Sequence, residues 1–309
     1  MRLLLYIPAS DMAEAWHAAF ARALPEAEWR AWTPGLDWQA DYAAFWHPPR
    51  DLLVGQTRLK AAFNLGAGVD AALRALALSP GVPLVRLEDA GMGPQMAEYV
   101  GWAVTRHFRR FDLYGAQQAR AEWRVHRPRA RESFAVGVMG LGVLGAQVAR
   151  SLRASGFPVL GWSARAKSIE GVRTYAGAAE LAPFLAATQA LVCLLPLTPD
   201  TAGLLNRATL SQLPRGAYVI NVARGGLLVD EDLLALLDDG HLAGATLDVF
   251  REEPLPPGHR FWTHPLVFLT PHCSAVTLVA DSVAQVAAKI RRLERGEPIT
   301  GVVDRERGY

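Results

Sequence analysis

The sequence predicts an α/β protein of two successive domains, each a parallel sheet covered by helices. Three observations carry that expectation. The chain has 309 residues, enough for a large buried core and, at the usual domain size, for two domains. Short apolar runs alternate with amphipathic stretches over residues 1–90 and again from Phe134 onward, a pattern that implies parallel strands with helices packed on their faces. A glycine-rich turn at 140–145 stands between an apolar run and a helical stretch.

In the first series the expected strands are 3–7, 29–32, 43–46, 61–65 and 84–87, with an amphipathic helix over 12–24. Gly91-Met92-Gly93-Pro94 then opens one long helical pattern over 95–114, long enough to carry the chain from one domain to the other. The second series has expected strands at 135–139, 159–162, 190–194, 218–221, 243–247 and 267–269, with a helix at 147–154 after the glycine turn. A last helix over 275–295 is apolar on one face and ends in basic residues before Gly296, as helix termini prefer. There is no fixed-period repeat and no low-complexity tract.

Composition narrows the function classes. A formal charge of +2 is too small to argue for a nucleic-acid partner. The arginine-dense stretch Arg120, Arg124, Arg127, Arg129 and Arg131 is interrupted by Glu122, Pro128 and Glu132, so it reads as a solvated surface connection. Cys193 and Cys273 are the two cysteines and form no C-x-x-C pair, which points to a reducing cytoplasm rather than a disulfide framework. The opening Met1–Pro8 run resembles a short signal peptide, but it is broken at Pro8 and Asp11 and reads as a first strand. No apolar run approaches the roughly 20 residues of a membrane span. The histidines at 17, 47, 107, 126, 241, 259 and 264 show no metal-ligand spacing, and no metal is expected.

Gly140-Leu141-Gly142-Val143-Leu144-Gly145 is a G-x-G-x-x-G sequence with a strand before it and a helix after it. That order is what dinucleotide binding requires. The first glycine permits the tight turn, the second lets backbone approach a pyrophosphate, and the third lets helix and strand pack closely. The helix N-terminus then offers free N–H groups and partial positive charge to the phosphates. At the end of the next strand an NAD-preferring protein usually has an acidic residue for the ribose 2′-hydroxyl. Here the chain reads Ser163-Ala164-Arg165-Ala166-Lys167-Ser168, with no carboxylate before Glu170. Two cations favour a 2′-phosphate, so NADPH is expected ahead of NADH; a solvated basic loop in an NADH enzyme is the alternative.

Three later strand ends carry polar groups: Arg224 in Asn221-Val222-Ala223-Arg224-Gly225-Gly226, Glu253 in Asp248-Val249-Phe250-Arg251-Glu252-Glu253-Pro254, and His272 in Thr270-Pro271-His272-Cys273-Ser274. Ligands bind at the carboxyl ends of strands in open α/β sheets, so the three are expected to converge. Hydride addition to a carbonyl needs a general acid, and imidazolium suits it. A carboxylate beside the ring orients it and favours its protonated form, the place for Glu253. Arginine supplies a bidentate fork for a substrate carboxylate, the place for Arg224. Asp248 is placed to accept a hydrogen bond from the cofactor amide. Taken singly, each of these residues also has an ordinary capping, packing or surface explanation.

These segments resemble the signature segments of the D-isomer-specific 2-hydroxyacid dehydrogenases, nearest to the branch that reduces glyoxylate and hydroxypyruvate. The likeness runs through Leu65-Gly66-Ala67-Gly68-Val69-Asp70, Arg86-Leu87-Glu88-Asp89, Phe108-Arg109-Arg110-Phe111-Asp112, Gly240-His241-Leu242-Ala243-Gly244-Ala245 and Glu253-Pro254-Leu255-Pro256 to Val303-Asp304-Arg305. The resemblance implies two Rossmann-like domains with a cleft between them. One is a flavodoxin-like substrate domain, 1–94 plus 278–309; the other is a doubly wound NAD(P)-binding domain, 95–277. It implies a homodimer acting on a small 2-keto acid; the cysteines, charge and hydropathy add the expectation of a cytoplasmic protein with no nucleic-acid or membrane partner. It also implies that Arg224 binds substrate, that Glu253 pairs with His272, and that His272 is the acid.

By the same resemblance, cofactor contacts are expected at Gly140, Gly142, Val143, Leu144, Gly145, Ser163, Arg165, Lys167, Leu195, Pro196, Val222, Ala223 and Asp248. Substrate contacts are expected at Trp46, Ala67, Gly68, Val69, Arg224 and His272. Trp46 matches the family's pocket tryptophan, its alternative being an ordinary aromatic at a strand end. Two departures stand out. The family's reductases place a basic residue directly after the serine at 163, where this chain has Ala164 and only then Arg165, which leaves open which side chain meets the 2′-phosphate. Cys273 and Ser274 follow the histidine where small apolar residues are more familiar. The implied reaction is NADPH-dependent reduction of glyoxylate and hydroxypyruvate to glycolate and D-glycerate. A reductase of bulkier 2-keto acids such as phenylpyruvate is a rival within the same chemistry, and a non-catalytic NAD(P)-sensing protein is a rival outside it. A methyltransferase-like domain would also use a glycine turn but leaves Arg224 and His272 unexplained.

Overall fold

In the computed structural model, which describes residues 1–8 and 12–309, the chain divides into two units, Met1–Met92 with Thr277–Tyr309, and Gly93–Val276. The first unit is built on β1 (Arg2–Tyr6), α1 (Ala13–Ala23), β2 (Glu28–Ala31), β3 (Tyr42–Phe45), β4 (Ala61–Asn64), α2 (Asp70–Ala75) and β5 (Leu84–Arg86). Its five strands are all parallel in the order β2-β1-β3-β4-β5, the flavodoxin-like arrangement. Leu3, Leu4 and Leu5 are consecutive and all buried. A strand in the middle of a parallel sheet is covered on both faces and so reads as a continuous apolar run.

The chain end belongs to this unit. The helix Val279–Glu294 packs on α1, and its Glu294 accepts hydrogen bonds from Tyr42 Oη at 2.6 Å and Lys60 Nζ at 2.7 Å. The tail then pairs with β5, Val303 N–H donating to the Leu84 carbonyl at 2.8 Å.

The second unit opens with α3 (Met92–Phe108) and α4 (Phe111–Ala119). The single helix expected over 95–114 is broken between them. Arg110 stands in the left-handed region at φ 60°, a conformation that ends a helix and that no Gly or Pro announces here. The break lets Asp112 reach back to His107, Oδ2 to Nδ1 3.3 Å. The Arg129 guanidinium donates to the His107 carbonyl at 2.6 Å, satisfying the terminus of α3. Arg129 and Arg131, expected to be solvated, are therefore partly structural; Arg131 lies over the Phe108 and Phe157 rings.

The sheet follows: β6 (Val136–Met139), α5 (Val143–Ala154), β7 (Val159–Ser163), β8 (Arg173–Ala176), α6 (Leu181–Ala186), β9 (Ala190–Cys193), α7 (Arg207–Leu210), β10 (Ala217–Asn221), α8 (Asp230–Asp238), β11 (Leu242–Leu247) and β12 (Val267–Leu269). The helix of the first unit at Val279–Glu294 is α9; it starts four residues later than the 275 expected. The seven strands are parallel in the order β12-β11-β10-β9-β6-β7-β8, a doubly wound sheet whose direction of progress reverses between β6 and β9. Helices cover both faces. On β9 and β10, Leu191 and Val219 face one apolar cluster with Phe184 and Leu233, while Val192 and Ile220 face the other with Val104 and Val148. The period of two along each strand thus builds a three-layer core. No helix among the described residues is long and apolar enough to cross a membrane.

Candidate active site at the carboxyl ends of the strands

The glycine turn lies at the end of β6, at the switch point of the larger sheet, where open α/β sheets bind ligands. Its three glycines stand there for different reasons. Gly140 has φ +99°, and a Cβ on it would lie 2.5 Å from the Leu194 carbonyl oxygen at the end of β9. A Cβ on Gly145 would lie 1.8 Å from the Gly140 carbonyl oxygen. Gly142 meets nothing within 4 Å, so its missing side chain leaves open space above the turn. It is also the N-cap of α5, which has no side-chain cap and no acidic residue in its first turn. The first N–H groups of α5 and their partial positive charge are left for an anion. These residues fit a pyrophosphate. Val143 is exposed and Leu144 half-buried at the turn, while Leu195, Val222 and Ala223 are buried at the ends of β9 and β10. Pro196 follows Leu195, its carbonyl accepting from Thr201 Oγ1 at 2.6 Å.

Ser163 ends β7. Its hydroxyl donates to the Arg165 carbonyl at 2.7 Å, so its one proton is committed within the loop. Thr174 Oγ1 holds the far side by donating to the Lys167 carbonyl at 2.8 Å. Between these anchors the Arg165 and Lys167 side chains are exposed. With the Ser163 proton engaged, the charged donors this loop offers to an anion are the two cations.

Arg224, Glu253 and His272 follow β10, β11 and β12, adjacent parallel strands, so all three lie at the same sheet edge as the glycine turn. His272 Nδ1 and Glu253 Oε2 are 2.7 Å apart. The other oxygen of Glu253 accepts the Phe250 N–H at 2.9 Å, which fixes the carboxylate before it meets the ring. With Nδ1 engaged, Nε2 is the ring position left to exchange a proton, and the residue is exposed. His272 adopts φ 53°, a costly backbone state for a non-glycine residue. Its N–H donates to the Asp248 carbonyl at 2.8 Å.

Arg224 half-emerges from the β10 end, its Nη1 donating to the Ala223 carbonyl at 2.6 Å. The turn below it is held by Asn221, whose amide donates to the Arg224 carbonyl at 3.0 Å. Next in the chain, Gly225 lies so close to the Phe250 backbone that a Cβ would stand 1.9 Å from its carbonyl carbon. The loops carrying Arg224 and Glu253 are thus packed backbone to backbone. Asp248 is fully buried, and its carboxylate accepts from Thr270 Oγ1 at 2.6 Å, Cys273 N–H at 2.8 Å and Ser274 N–H at 2.8 Å. Three of its roughly four acceptor positions are filled from within the chain. Partial burial and the Asp248 charge both push the Cys273 thiol above its ordinary range.

A family model described as "D-isomer specific 2-hydroxyacid dehydrogenase, NAD binding domain" matches residues 102–274. The chain belongs to this family. A glyoxylate/hydroxypyruvate reductase A from Serratia proteamaculans is 49% identical over 314 residues, covering 100% of both chains. Among solved structures, a family member from Xanthobacter autotrophicus Py2 in complex with NADPH and MES is 40% identical, with a TM-score of 0.94 and 99% of each chain covered. An NADPH-dependent glyoxylate/hydroxypyruvate reductase from Sinorhizobium meliloti, in complex with NADP and sulfate, is 41% identical with a TM-score of 0.91, covering 100% of this chain and 99% of that one.

In the first unit of this dehydrogenase the expected substrate residues sit at the carboxyl ends of β3 and β4. The Trp46 ring lies against Gly66, where a Cβ would come within 2.2 Å of it, and packs edge-on to His47 with centroids 4.7 Å apart. The loop carrying Ala67, Gly68 and Val69 is braced by the buried Asn64, whose amide donates to the Gly66 and Gly68 carbonyls at 3.0 and 2.9 Å. Reasoning from sequence missed Asn64, although a polar residue closing an apolar strand was a signal for it. It also missed Tyr99 and Thr270, which reach Asp248 by a hydrogen-bonded chain and carry no local signal.

Proposed function

We propose that this chain reduces glyoxylate and hydroxypyruvate to glycolate and D-glycerate, with NADPH as the preferred reductant. The observation that carries the reading is the 2.7 Å contact of His272 with Glu253, at the sheet edge that also bears the glycine turn. Full-length likeness to glyoxylate/hydroxypyruvate reductases supports the substrate class.

When bound, NADPH supplies the hydride that reduces the carbonyl carbon. Gly140, Gly142 and Gly145 with Val143 and Leu144 hold the pyrophosphate at the start of α5. Leu195, Pro196, Val222 and Ala223 line the cofactor site, and the remaining acceptor of Asp248 orients the carboxamide. Arg165 and Lys167 receive the 2′-phosphate, with Ser163 shaping the loop. His272 delivers its Nε2 proton to the oxygen that becomes the hydroxyl, and Glu253 stabilises the imidazolium that must exist beforehand. Arg224 holds the substrate's carboxylate and carbonyl oxygen and raises the electrophilicity of the carbon. The backbone N–H groups of Ala67, Gly68 and Val69 bind the substrate carboxylate, and Trp46 limits the size of its side chain.

We assign the chain to the cytoplasm, in keeping with two free cysteines, and to a homodimer. Trp123 is 99% exposed and Val125 82% exposed; two large apolar side chains so close in the chain favour a protein surface over water. Light scattering should give twice the chain mass, falling to a monomer's in Trp123→Glu/Val125→Glu; an unchanged dimer would rule out that face.

The activity test is loss of reduced-nicotinamide absorbance with NADPH and NADH crossed against glyoxylate, hydroxypyruvate, pyruvate and phenylpyruvate. The expected result is NADPH oxidation with glyoxylate and hydroxypyruvate at least tenfold above the other pairs. Turnover with phenylpyruvate alone would replace the substrate, and tight NADPH binding without turnover would replace the enzyme by a sensor.

A further inference from the structure

Asp248 has no exposure to water, and three donors from the chain meet its carboxylate. Two are the N–H groups of Cys273 and Ser274, each at 2.8 Å. Together with the Asp248 carbonyl, which takes the His272 N–H at 2.8 Å, they grip three consecutive backbone positions of the loop that bears the acid. That grip opposes the cost of φ 53° at His272. The third donor is the Thr270 hydroxyl, 2.6 Å from Oδ1.

A hydroxyl has one proton. Thr270 gives its proton to Asp248, so it can only accept from Tyr99, whose Oη lies 2.5 Å from Thr270 Oγ1. The direction of the chain is thereby settled: Tyr99 Oη–H to Thr270 Oγ1, Thr270 Oγ1–H to Asp248 Oδ1. Burial raises the Tyr99 phenol above its ordinary range, so the donor at its head stays protonated. Tyr99 lies on α3 and contributes nothing to the phosphate turn or to the Glu253 contact. Its hydroxyl is engaged at the far end of a chain that reaches the acid-bearing loop from behind.

We propose that Tyr99 and Thr270 are positioning residues for the reduction, acting in series through Asp248 to hold the backbone of His272. The proposal rests on the function given above. Without the Thr270 hydroxyl the carboxylate loses a donor on Oδ1 and is left to the Cys273 and Ser274 N–H groups, a looser restraint. Its hold on the Cys273 and Ser274 N–H groups then weakens, and the imidazole loses its fixed base. Because the two hydroxyls act in series, removing the second after the first has little left to change.

The test compares Tyr99→Phe, Thr270→Val, Thr270→Ser and the Tyr99→Phe/Thr270→Val double variant with the native enzyme. Readouts are NADPH-dependent kcat and KM, and amide hydrogen exchange of the 270–276 segment in the protein without cofactor. Expected are a kcat at least tenfold lower in Thr270→Val with KM for the keto acid within threefold, a smaller loss in Tyr99→Phe, and recovery to within threefold of native in Thr270→Ser. The double variant should match Thr270→Val alone. Exchange at Cys273 and Ser274 should accelerate at least tenfold, with the rest of the chain unchanged. A Thr270→Val enzyme at the native rate, a Thr270→Ser enzyme as slow as Thr270→Val, or unchanged exchange at 273–274 would overturn the proposal. Should Thr270→Val not fold, Tyr99→Phe, which removes one oxygen, decides by the same rate and exchange readouts. A native protein without turnover would defeat the proposed function, whereas a native enzyme insensitive to these variants would defeat only this inference.

Discussion

The glycine turn at 140–145 and the acid-bearing loop at 270–274 are both strand ends of one sheet, yet they are made by opposite means. In the turn, backbone decides: Gly145 packs against the Gly140 carbonyl, Gly140 against the end of β9, and Gly142 against nothing. In the loop, side chains decide: an unfavourable φ at His272 is held by Asp248, which accepts from Thr270, 22 residues away, while Thr270 accepts from Tyr99, 171 residues before it in the chain. A site of the first kind is written in six adjacent letters. One of the second kind exists only once the chain has folded.

The contrast breaks most sharply at Gly145. Gly145→Val must displace backbone rather than side chain, so it should destabilise the second unit by about 3 kcal/mol or more and abolish cofactor binding, as read by urea unfolding. A loss below about 1 kcal/mol would mean the helix start is not clamped as described.

Next in size is Glu253→Gln, which keeps the shape and removes the charge that stabilises imidazolium. A fall in kcat of about 10²-fold is expected, with NADPH affinity unchanged by fluorescence titration. Equal loss of affinity and rate would assign Glu253 to binding instead. Gly142→Ala then sharpens the difference within the turn itself. Open space and an ordinary backbone angle there predict stability within about 0.5 kcal/mol of native, but about tenfold weaker NADPH binding, because the methyl stands where backbone must approach the pyrophosphate.

The smallest effect lies behind the sheet. Burial lowers the pKa of His107, with the neighbouring Asp112 acting in the opposite direction. The folded chain keeps the ring neutral while the unfolded chain binds a proton below about pH 6.5, the ordinary histidine value. Stability contributed by neutral His107 is therefore present above that pH and lost as pH falls through it toward the lowered folded value. His17 is lowered by burial in the same sense. His107→Gln should flatten the decline in melting temperature between about pH 7 and 5 by a few degrees; an unaltered slope would remove His107 from the account.

Much of this was legible in the sequence for one physical reason: parallel strands covered on both faces must be apolar throughout, as Leu3-Leu4-Leu5 and Leu191-Val192 are. The edge strand β8, Arg173-Thr174-Tyr175-Ala176, was not, because an edge needs no such run and, of its four residues, Tyr175 alone is buried. Nor was the helix break at Arg110, which no local breaker announces and which comes with a contact between His107 and Asp112. Arg224, Glu253 and His272 stood out as polar residues directly after apolar runs. Asp248 stood out as well, but only as an acceptor for the cofactor amide. Its three internal donors depend on the ends of β11 and β12 coming together, and the tyrosine behind them on α3, which no local window contains.

The most direct measurement is single-turnover NADPH oxidation by His272→Ala with glyoxylate, alongside NADPH affinity. With His272 as the proton donor, the rate should fall by about 10³-fold while the affinity stays within threefold of native. Turnover near the native rate would contradict the assignment, and with it the role given to the Asp248 loop that holds this residue in place.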